Sequence, residues 1–190
     1  MFTKTDFNSC APVDFFASSK TSTELDAMAC EIWENFPWED RTQNRREVFF
    51  SDRGMPYTYG KGDFARTYTP KTSPSLLKEL TKSVEETLGC KFELCFINGY
   101  ASEKEHLGWH ADDSSSIDHE RPIAVVSFGA ERELWVKPIG GSFEEVARFM
   151  LPKGSLFVMK KGMQHTHVHR IPKHPSPCGF RVSLTFRGAK

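Results

Sequence analysis

Two different periods run along this chain. In its first half apolar residues recur at helical spacing. Leu25, Met28, Ile32 and Phe36 form one stripe behind Thr21-x-x-Glu24, a capping-box pattern that opens a helix. Leu77, Leu80, Val84 and Leu88 form a second stripe; Ser73 stands where it can cap that helix, Pro74 suits its first turn, and Gly89 can end it. After Gly89 the period drops to two. Phe92, Leu94 and Phe96 alternate with Lys91, Glu93 and Cys95, the mark of a half-buried strand. Further strands are predicted over 123–128, 133–137, 146–151, 155–159 and 180–186, with Gly and Pro between them. Helices first, then strands without intervening helices, predict an α+β fold: a double-layered antiparallel sheet supported by helices on one side. Residues 1–20 carry no pattern and are expected to be a loosely ordered arm, with 21–190 as a single domain.

Composition narrows the class. The 190 residues are 38% hydrophobic and include 16 Phe and 4 Trp, enough for one core and against disorder. No window holds the ~18 continuous apolar residues of a membrane span, and the first twenty residues lack a signal-peptide run. Five cysteines, an odd number with no C-x-x-C pair, argue against a disulfide framework or a Cys-based zinc site. These features predict an intracellular protein, cytoplasmic or nuclear, monomeric and without a membrane partner.

Lys and Arg balance Asp and Glu at 25 each, but unevenly along the chain. From Val146 to Lys190 there is no Asp or Glu, while Arg148, Lys153, Lys160, Lys161, Arg170 and Lys173 are followed by further cations. Such a stretch is either a solvated basic edge or a positive rim around a site that receives an anion.

Three segments carry candidate chemistry. His110-Ala111-Asp112 places an imidazole and a carboxylate two apart, on one side of a strand end, where both reach one ion. A lone His-x-Asp is common by chance. Its weight comes from a remote cluster, His165, His167 and His169. Two imidazoles and one carboxylate leave open positions on an ion, the donor set of non-haem Fe(II) oxygenases. The last strand, Arg181-Val182-Ser183-Leu184-Thr185-Phe186-Arg187, sends Arg181, Ser183, Thr185 and Arg187 to one face. Guanidiniums facing inward need an anionic partner, and a dicarboxylate supplies one; the same pattern also fits an exposed edge strand.

Together these segments resemble the AlkB family of Fe(II)/2-oxoglutarate dioxygenases from about Arg45 to Arg187. The matching stretches occur in family order: Phe50-Ser51-Asp52 through Pro56-Tyr57-Thr58-Tyr59-Gly60 for the substrate-facing lid, Ile97-Asn98-Gly99-Tyr100, His110-Ala111-Asp112, Pro122 to Gly129, Gly154 to Met159, His169-Arg170-Ile171-Pro172, and the closing Arg181 to Arg187. The resemblance implies a double-stranded β-helix (jelly-roll) core. It makes His110, Asp112 and His169 the iron ligands, His169 being preferred to His167 for its following Ile-Pro. Arg181 would clamp the distal carboxylate of 2-oxoglutarate, with Asn98, Tyr100, Ser183 and Arg187 as further cosubstrate contacts and O₂ as second cosubstrate. Tyr100 could equally be a core tyrosine.

The implied reaction is oxidative dealkylation of N-alkylated bases in DNA or RNA, single-stranded or flipped out, releasing formaldehyde, succinate and CO₂. The base would sit between Tyr59 and the His110 ring, near Tyr57, Asp113 and Ser114. Phosphate contacts are expected from Lys160, Lys161, Arg170 or Lys173, and from Arg45 and Arg46. His165 and His167 are read as supporting groups, His106 and His119 as surface residues, and Trp109 as a buttress of the metal loop. The chain departs from the family pattern at Ser183, where Asn is common, at Ser114, where an acid is common, and at Thr166-His167-Val168, which replaces an aromatic. A related oxygenase acting on a protein or small molecule is the alternative that the neutral total charge leaves open; a nonenzymatic module fits poorly with the intact ligand and arginine set.

Overall fold

The computed structural model describes residues 1–5, 11–60 and 65–190. Helix α1 (Ser22–Asn35) opens on the capping box read from the sequence: Glu24 N–H donates to Thr21 Oγ1 (3.3 Å) and Thr21 N–H to Glu24 Oε2 (2.8 Å). Helix α2 (Ser75–Leu88) ends on Gly89 in the left-handed conformation (φ 67°), where a side chain would be strained. Its start differs from expectation. Pro74 is the cap residue and no side chain caps it; the Ser73 N–H donates instead to Asp52 Oδ1 (2.8 Å).

Seven strands form the major sheet: β1 (Phe2–Thr5), β2 (Val13–Ser18), β3 (Arg46–Phe50), β6 (Leu94–Tyr100), β8 (Ile123–Gly129), β11 (Leu156–Met159) and β13 (Arg181–Arg187), in the order β1-β2-β11-β8-β13-β6-β3. A minor sheet runs β10-β9-β12-β7, from β7 (Leu107–His110), β9 (Arg132–Pro138), β10 (Ala147–Leu151) and β12 (His167–Ile171). A third pair, β4 (Tyr57–Tyr59) and β5 (Arg66–Tyr68), makes a small ribbon, and α3 (Met163–Thr166) is a single turn. All strand pairings are antiparallel. No helix among the described residues is long and apolar enough to cross a membrane.

The expected loose arm is corrected by β1 and β2, which are paired strands; residues 6–10, also within that expectation, lie outside the described residues. The reason is packing on both faces. Phe16 joins the core beneath the helices, while Val13 and Phe15 join the core between the sheets. Six residues with apolar side chains on both sides show no clean period.

Alternation on the major sheet separates structure from chemistry. Val182, Leu184 and Phe186 of β13 pack with Ile97, Ala124 and Val126 against α1 and α2. The other face of β13 turns Arg181, Ser183, Thr185 and Arg187 toward the minor sheet, beside Asn98 and Tyr100 of β6 and Ser127 of β8. So α1 and α2 occupy one side, while α3 lies by the inter-sheet core, and the polar face lies between two sheets.

Gly129 fixes the end of that arrangement. It sits opposite Arg181 with φ +78°, and a Cβ there would lie 2.3 Å from the Phe180 carbonyl oxygen. Gly129→Ala is expected to destabilise by about 2–4 kcal/mol through strain and backbone displacement. For a chain of this size that is a drop in melting temperature of about 4–16 °C; an unchanged melt would show that the β8–β13 end is not held as described.

Candidate active site

The metal candidates come from three elements. His110 ends β7, Asp112 follows it in the loop, and His169 is the centre of β12, paired in register with His110. That cross-strand pairing brings the two rings to 4.2 Å. The donor atoms of His110, Asp112 and His169 all lie within 4.8 Å of one another. Among the described residues this is the one cluster of three metal-ligating side chains.

Each donor is already oriented. The His110 Nδ1 is 2.8 Å from the Gly108 carbonyl, which fixes the hydrogen there and leaves Nε2 with a lone pair. Asp112 is 1% exposed, and its Oδ2 accepts both Arg187 Nε (3.1 Å) and Nη2 (2.8 Å). Its Oδ1 has no hydrogen-bond partner. The Asp112 N–H donates to Gln164 Oε1 (2.9 Å), pinning the loop to α3.

Protonation suits ligation. Burial opposes the Asp112 charge, yet the Arg187 guanidinium and then the two histidines pull its pKa down to about 2. Burial, reinforced by His110, pushes His169 down to about 3, and burial lowers His110 as well. Near pH 7 the cluster is therefore one carboxylate and two neutral imidazoles, the forms a metal requires. The orphaned Asp112 Oδ1 and the free His110 Nε2 are what a bound Fe(II) would satisfy, so the donor set fits that ion.

Arg181 lies between the sheets at 0% exposure. Its Nη2 donates to Ser127 Oγ (3.0 Å) and Ser183 Oγ (3.3 Å), while Nε and Nη1 have no acceptor. The Tyr100 ring lies under it at 5.4 Å. Burial lowers its pKa to about 10, with Tyr100 acting against and Arg132 with that shift. A buried guanidinium with two unused donors is costly unless an anion joins it. A dicarboxylate fits that requirement.

The remaining sequence candidates divide. Asn98, Tyr100, Ser183 and Arg187 line the inter-sheet cavity together with His110, Asp112 and His169. Arg187, expected at the cosubstrate, lines that cavity and donates from Nε and Nη2 to Asp112 Oδ2, a carboxylate being a good match for a buried guanidinium. Ser183 holds Arg181. Asn98 Oδ1 accepts from Arg45 Nε (2.7 Å), which turns its amide donors away from Arg45.

Toward solvent, Tyr59, His110, Asp113 and Ser114 line a cleft of about 510 Å³. Tyr59 meets His110 edge-on at 5.9 Å and 69°; the two rings expected to flank a base thus lie side by side at the cleft, and edge-to-face contact is favoured by the ring quadrupoles when nothing lies between them. Tyr57 borders the cleft but is 1% exposed, stacked on Phe49 and covered by Arg187. Its role is to support Arg187 rather than to offer a free ring.

Arg45 is not a surface cation. It is buried and paired with Glu47, which also accepts from the Tyr68 hydroxyl (2.5 Å). Arg46 lies over Trp33 and near Asp40; Lys160 and Lys161 pair with Asp14 and Glu120. His165 is exposed and meets His119 edge-on at 5.0 Å, away from the expected supporting role. The sequence reading missed Glu47, Ser127 and Gln164. Only Glu47 left a signal, an acid directly before the apolar run Val48-Phe49-Phe50.

Comparison with known proteins agrees with this geometry. The profile described as "2OG-Fe(II) oxygenase superfamily" matches residues 14–187. The chain is 32% identical over 178 residues to alpha-ketoglutarate-dependent dioxygenase alkB homolog 3 of Homo sapiens and of Bos taurus, matching 86% of this chain and 61% of theirs. It is 31% identical over 149 residues to DNA oxidative demethylase ALKBH2 of Mus musculus, matching 75% of this chain and 61% of that one. The chain thus spans about three fifths of the length of these relatives. The solved structure of OsALKBH1 superposes with TM-score 0.62 over 97% of this chain and 99% of that one; at 15% identity this is a likeness of fold. Profile, relatives and donor set lead to one statement: the chain belongs to the 2OG-Fe(II) oxygenase superfamily, and the relatives it resembles are AlkB homologues.

Proposed function

We propose that this protein is an Fe(II)/2-oxoglutarate-dependent dioxygenase that removes alkyl groups oxidatively from N-alkylated bases of DNA or RNA, on a double-stranded β-helix core. The observation that carries the reading is the pairing of two incomplete sites. One is the His110–Asp112–His169 donor set with its orphaned carboxylate oxygen; the other is Arg181, buried with two unused donors. The names of the alkB homolog 3 and ALKBH2 relatives support alkylated nucleic acid as the substrate class.

Bound Fe(II) supplies the activation of O₂ that no side chain can provide. The chain's own residues do the rest. His110, Asp112 and His169 would hold the ion on one side and leave the other open. Arg187 keeps Asp112 anionic and aimed, and Gly108 keeps the His110 proton on Nδ1. Arg181, held by Ser127 and Ser183, would take the distal carboxylate of 2-oxoglutarate, while Asn98 and Ser183 line the cavity beside the donor set. The apolar wall of Leu134, Val125 and Ile171 excludes water. Tyr59 and His110 border the cleft through which a flipped or single-stranded base would enter, so a base displaces their edge-on contact.

In the balanced reaction one oxygen atom of O₂ enters succinate as CO₂ leaves the keto acid. The other enters the N-methyl C–H bond, and the resulting hemiaminal splits into formaldehyde and the restored base. The test is succinate and formaldehyde release with Fe(II), 2-oxoglutarate and N-methylated single-stranded DNA, duplex DNA or RNA. Formaldehyde matching succinate on at least one nucleic acid is expected. Succinate release that no nucleic acid stimulates would overturn the substrate class in favour of a protein or small molecule, and no turnover of 2-oxoglutarate would overturn the enzymatic reading.

A further inference from the structure

The outer face of the minor sheet, opposite the metal candidates, carries a ladder of cations and aromatic rings. Arg148 on β10 and Arg170 on β12 are both register partners of Trp135 on β9. Their guanidiniums lie 4.6 and 5.1 Å from the Trp135 ring. Arg170 also lies 5.5 Å from Trp109, and Lys137 5.2 Å from that same ring. At the other end Arg148 lies 5.5 Å from Phe143, which meets Trp135 edge-on at 5.8 Å and is 63% exposed.

Stability alone leaves this ladder unexplained. A guanidinium on a surface sheet ordinarily finds a carboxylate, and Glu133 is on the same face, but it accepts from the Trp135 indole N–H (2.7 Å). Among the described residues neither Arg148 nor Arg170 is paired with a carboxylate, and the Arg170 Nε is buried without an acceptor, which leaves its terminal nitrogens as the donors on offer. Stacking on an indole uses the flat face of a guanidinium and leaves its N–H edge free, held in one orientation. Two such edges on alternate strands stand about 10 Å apart, twice the spacing of neighbouring strands. Free N–H forks match phosphate oxygens bidentately. Alternation of cations with an exposed ring is the combination that grips single strands.

We propose that this face is a second contact for a single-stranded nucleic acid, binding the phosphates of nucleotides beyond the target base; the proposal rests on the substrate class inferred above. The path is short. β7 is the edge of its sheet and turns Trp109 outward and His110 inward, so a strand leaving the cleft rounds that edge to reach the ladder.

The experiment measures binding of fluorescently labelled oligodeoxythymidylates of 3 and 20 nucleotides to the full chain, from 50 to 300 mM salt. Arg148→Glu is expected to weaken 20-mer binding about tenfold, or about 1.4 kcal/mol, and to reduce the slope of log K against log salt by about 0.7. Arg148→Glu with Arg170→Glu should double the loss of slope. The 3-mer affinity and the succinate release without nucleic acid should be unchanged by Arg148→Glu. Wild-type affinity and slope for the 20-mer in both variants overturn the proposal, as does an equal loss on the 3-mer. So does a polyglutamate peptide that competes for this face while the 20-mer does not, which would make it a protein-docking surface. If the wild type binds no oligonucleotide at any salt, the nucleic-acid substrate class itself fails, a result distinct from a ladder that makes no difference.

Discussion

His169→Ala is expected to abolish turnover, by at least ~10³-fold, because several kcal/mol of metal-dependent stabilisation disappear with the ion. His169 is the informative member of the proposed ligand set to remove. It is buried, its Nδ1 has no hydrogen-bond partner in the protein, and it carries no charge near pH 7. Its loss therefore leaves no stranded charge behind, and the fold should survive. Asp112→Ala should be just as inactive for a mixed reason. It removes the anionic ligand and also strands the Arg187 guanidinium at 5% exposure, which costs about 3–5 kcal/mol. The two variants thus differ in melting temperature while agreeing in activity. Metal content measured beside thermal melting separates these effects. A His169→Ala protein that retained one equivalent of metal and its activity would contradict the ligand assignment.

The second large effect is at Arg181. Arg181→Met is expected to raise the KM for 2-oxoglutarate by about 10²-fold, since truncating one partner of a buried charge pair costs about 2–5 kcal/mol. Metal binding should be unchanged. The same substitution carries an opposite expectation for stability. Without an anion the Arg181 charge is buried and only half satisfied, so an apolar side chain of similar length should raise the melting temperature of the ligand-free protein by about 2–4 °C per kcal/mol gained. Adding 2-oxoglutarate at 100 times its Kd should stabilise the wild type by about 2.7 kcal/mol and the variant hardly at all. Calorimetric melts of both proteins with and without 2-oxoglutarate read this directly. Equal stabilisation of the two would show that Arg181 does not receive the keto acid.

The residues that cluster between the sheets were more legible in the sequence than the strands that bring them together. The period of β13 was legible because Val182, Leu184 and Phe186 alternate with polar residues, but that alternation fits an exposed edge strand equally well; the pairing of β13 between β6 and β8 is what buries Arg181. The capping box of α1 was legible because it is local. Strands β2, β3 and β12 were not: Phe15-Phe16 and Val48-Phe49-Phe50 are apolar on both faces, and His167-Val168-His169 is polar where the core expects carbon. These segments become strands through pairing with distant partners, which no local pattern announces. The same applies to partners of charge. That Arg187 would face Asp112, 75 positions away, and that Arg45 would be buried on Glu47, follows from which strands lie side by side. Arg45 was expected among the phosphate contacts; the β3–β6 pairing buries it beside Asn98.

Whether the two incomplete sites receive one ion and one keto acid is decided by a crystal structure of the full chain grown with Mn(II), a redox-inert stand-in for Fe(II), and 2-oxoglutarate. One ion is expected in direct contact with a ring nitrogen of His110, the free Oδ1 of Asp112 and a ring nitrogen of His169, with the far carboxylate of the keto acid on Nε and Nη1 of Arg181. An ion bound elsewhere, or a keto acid that leaves those two nitrogens without an acceptor, would contradict it.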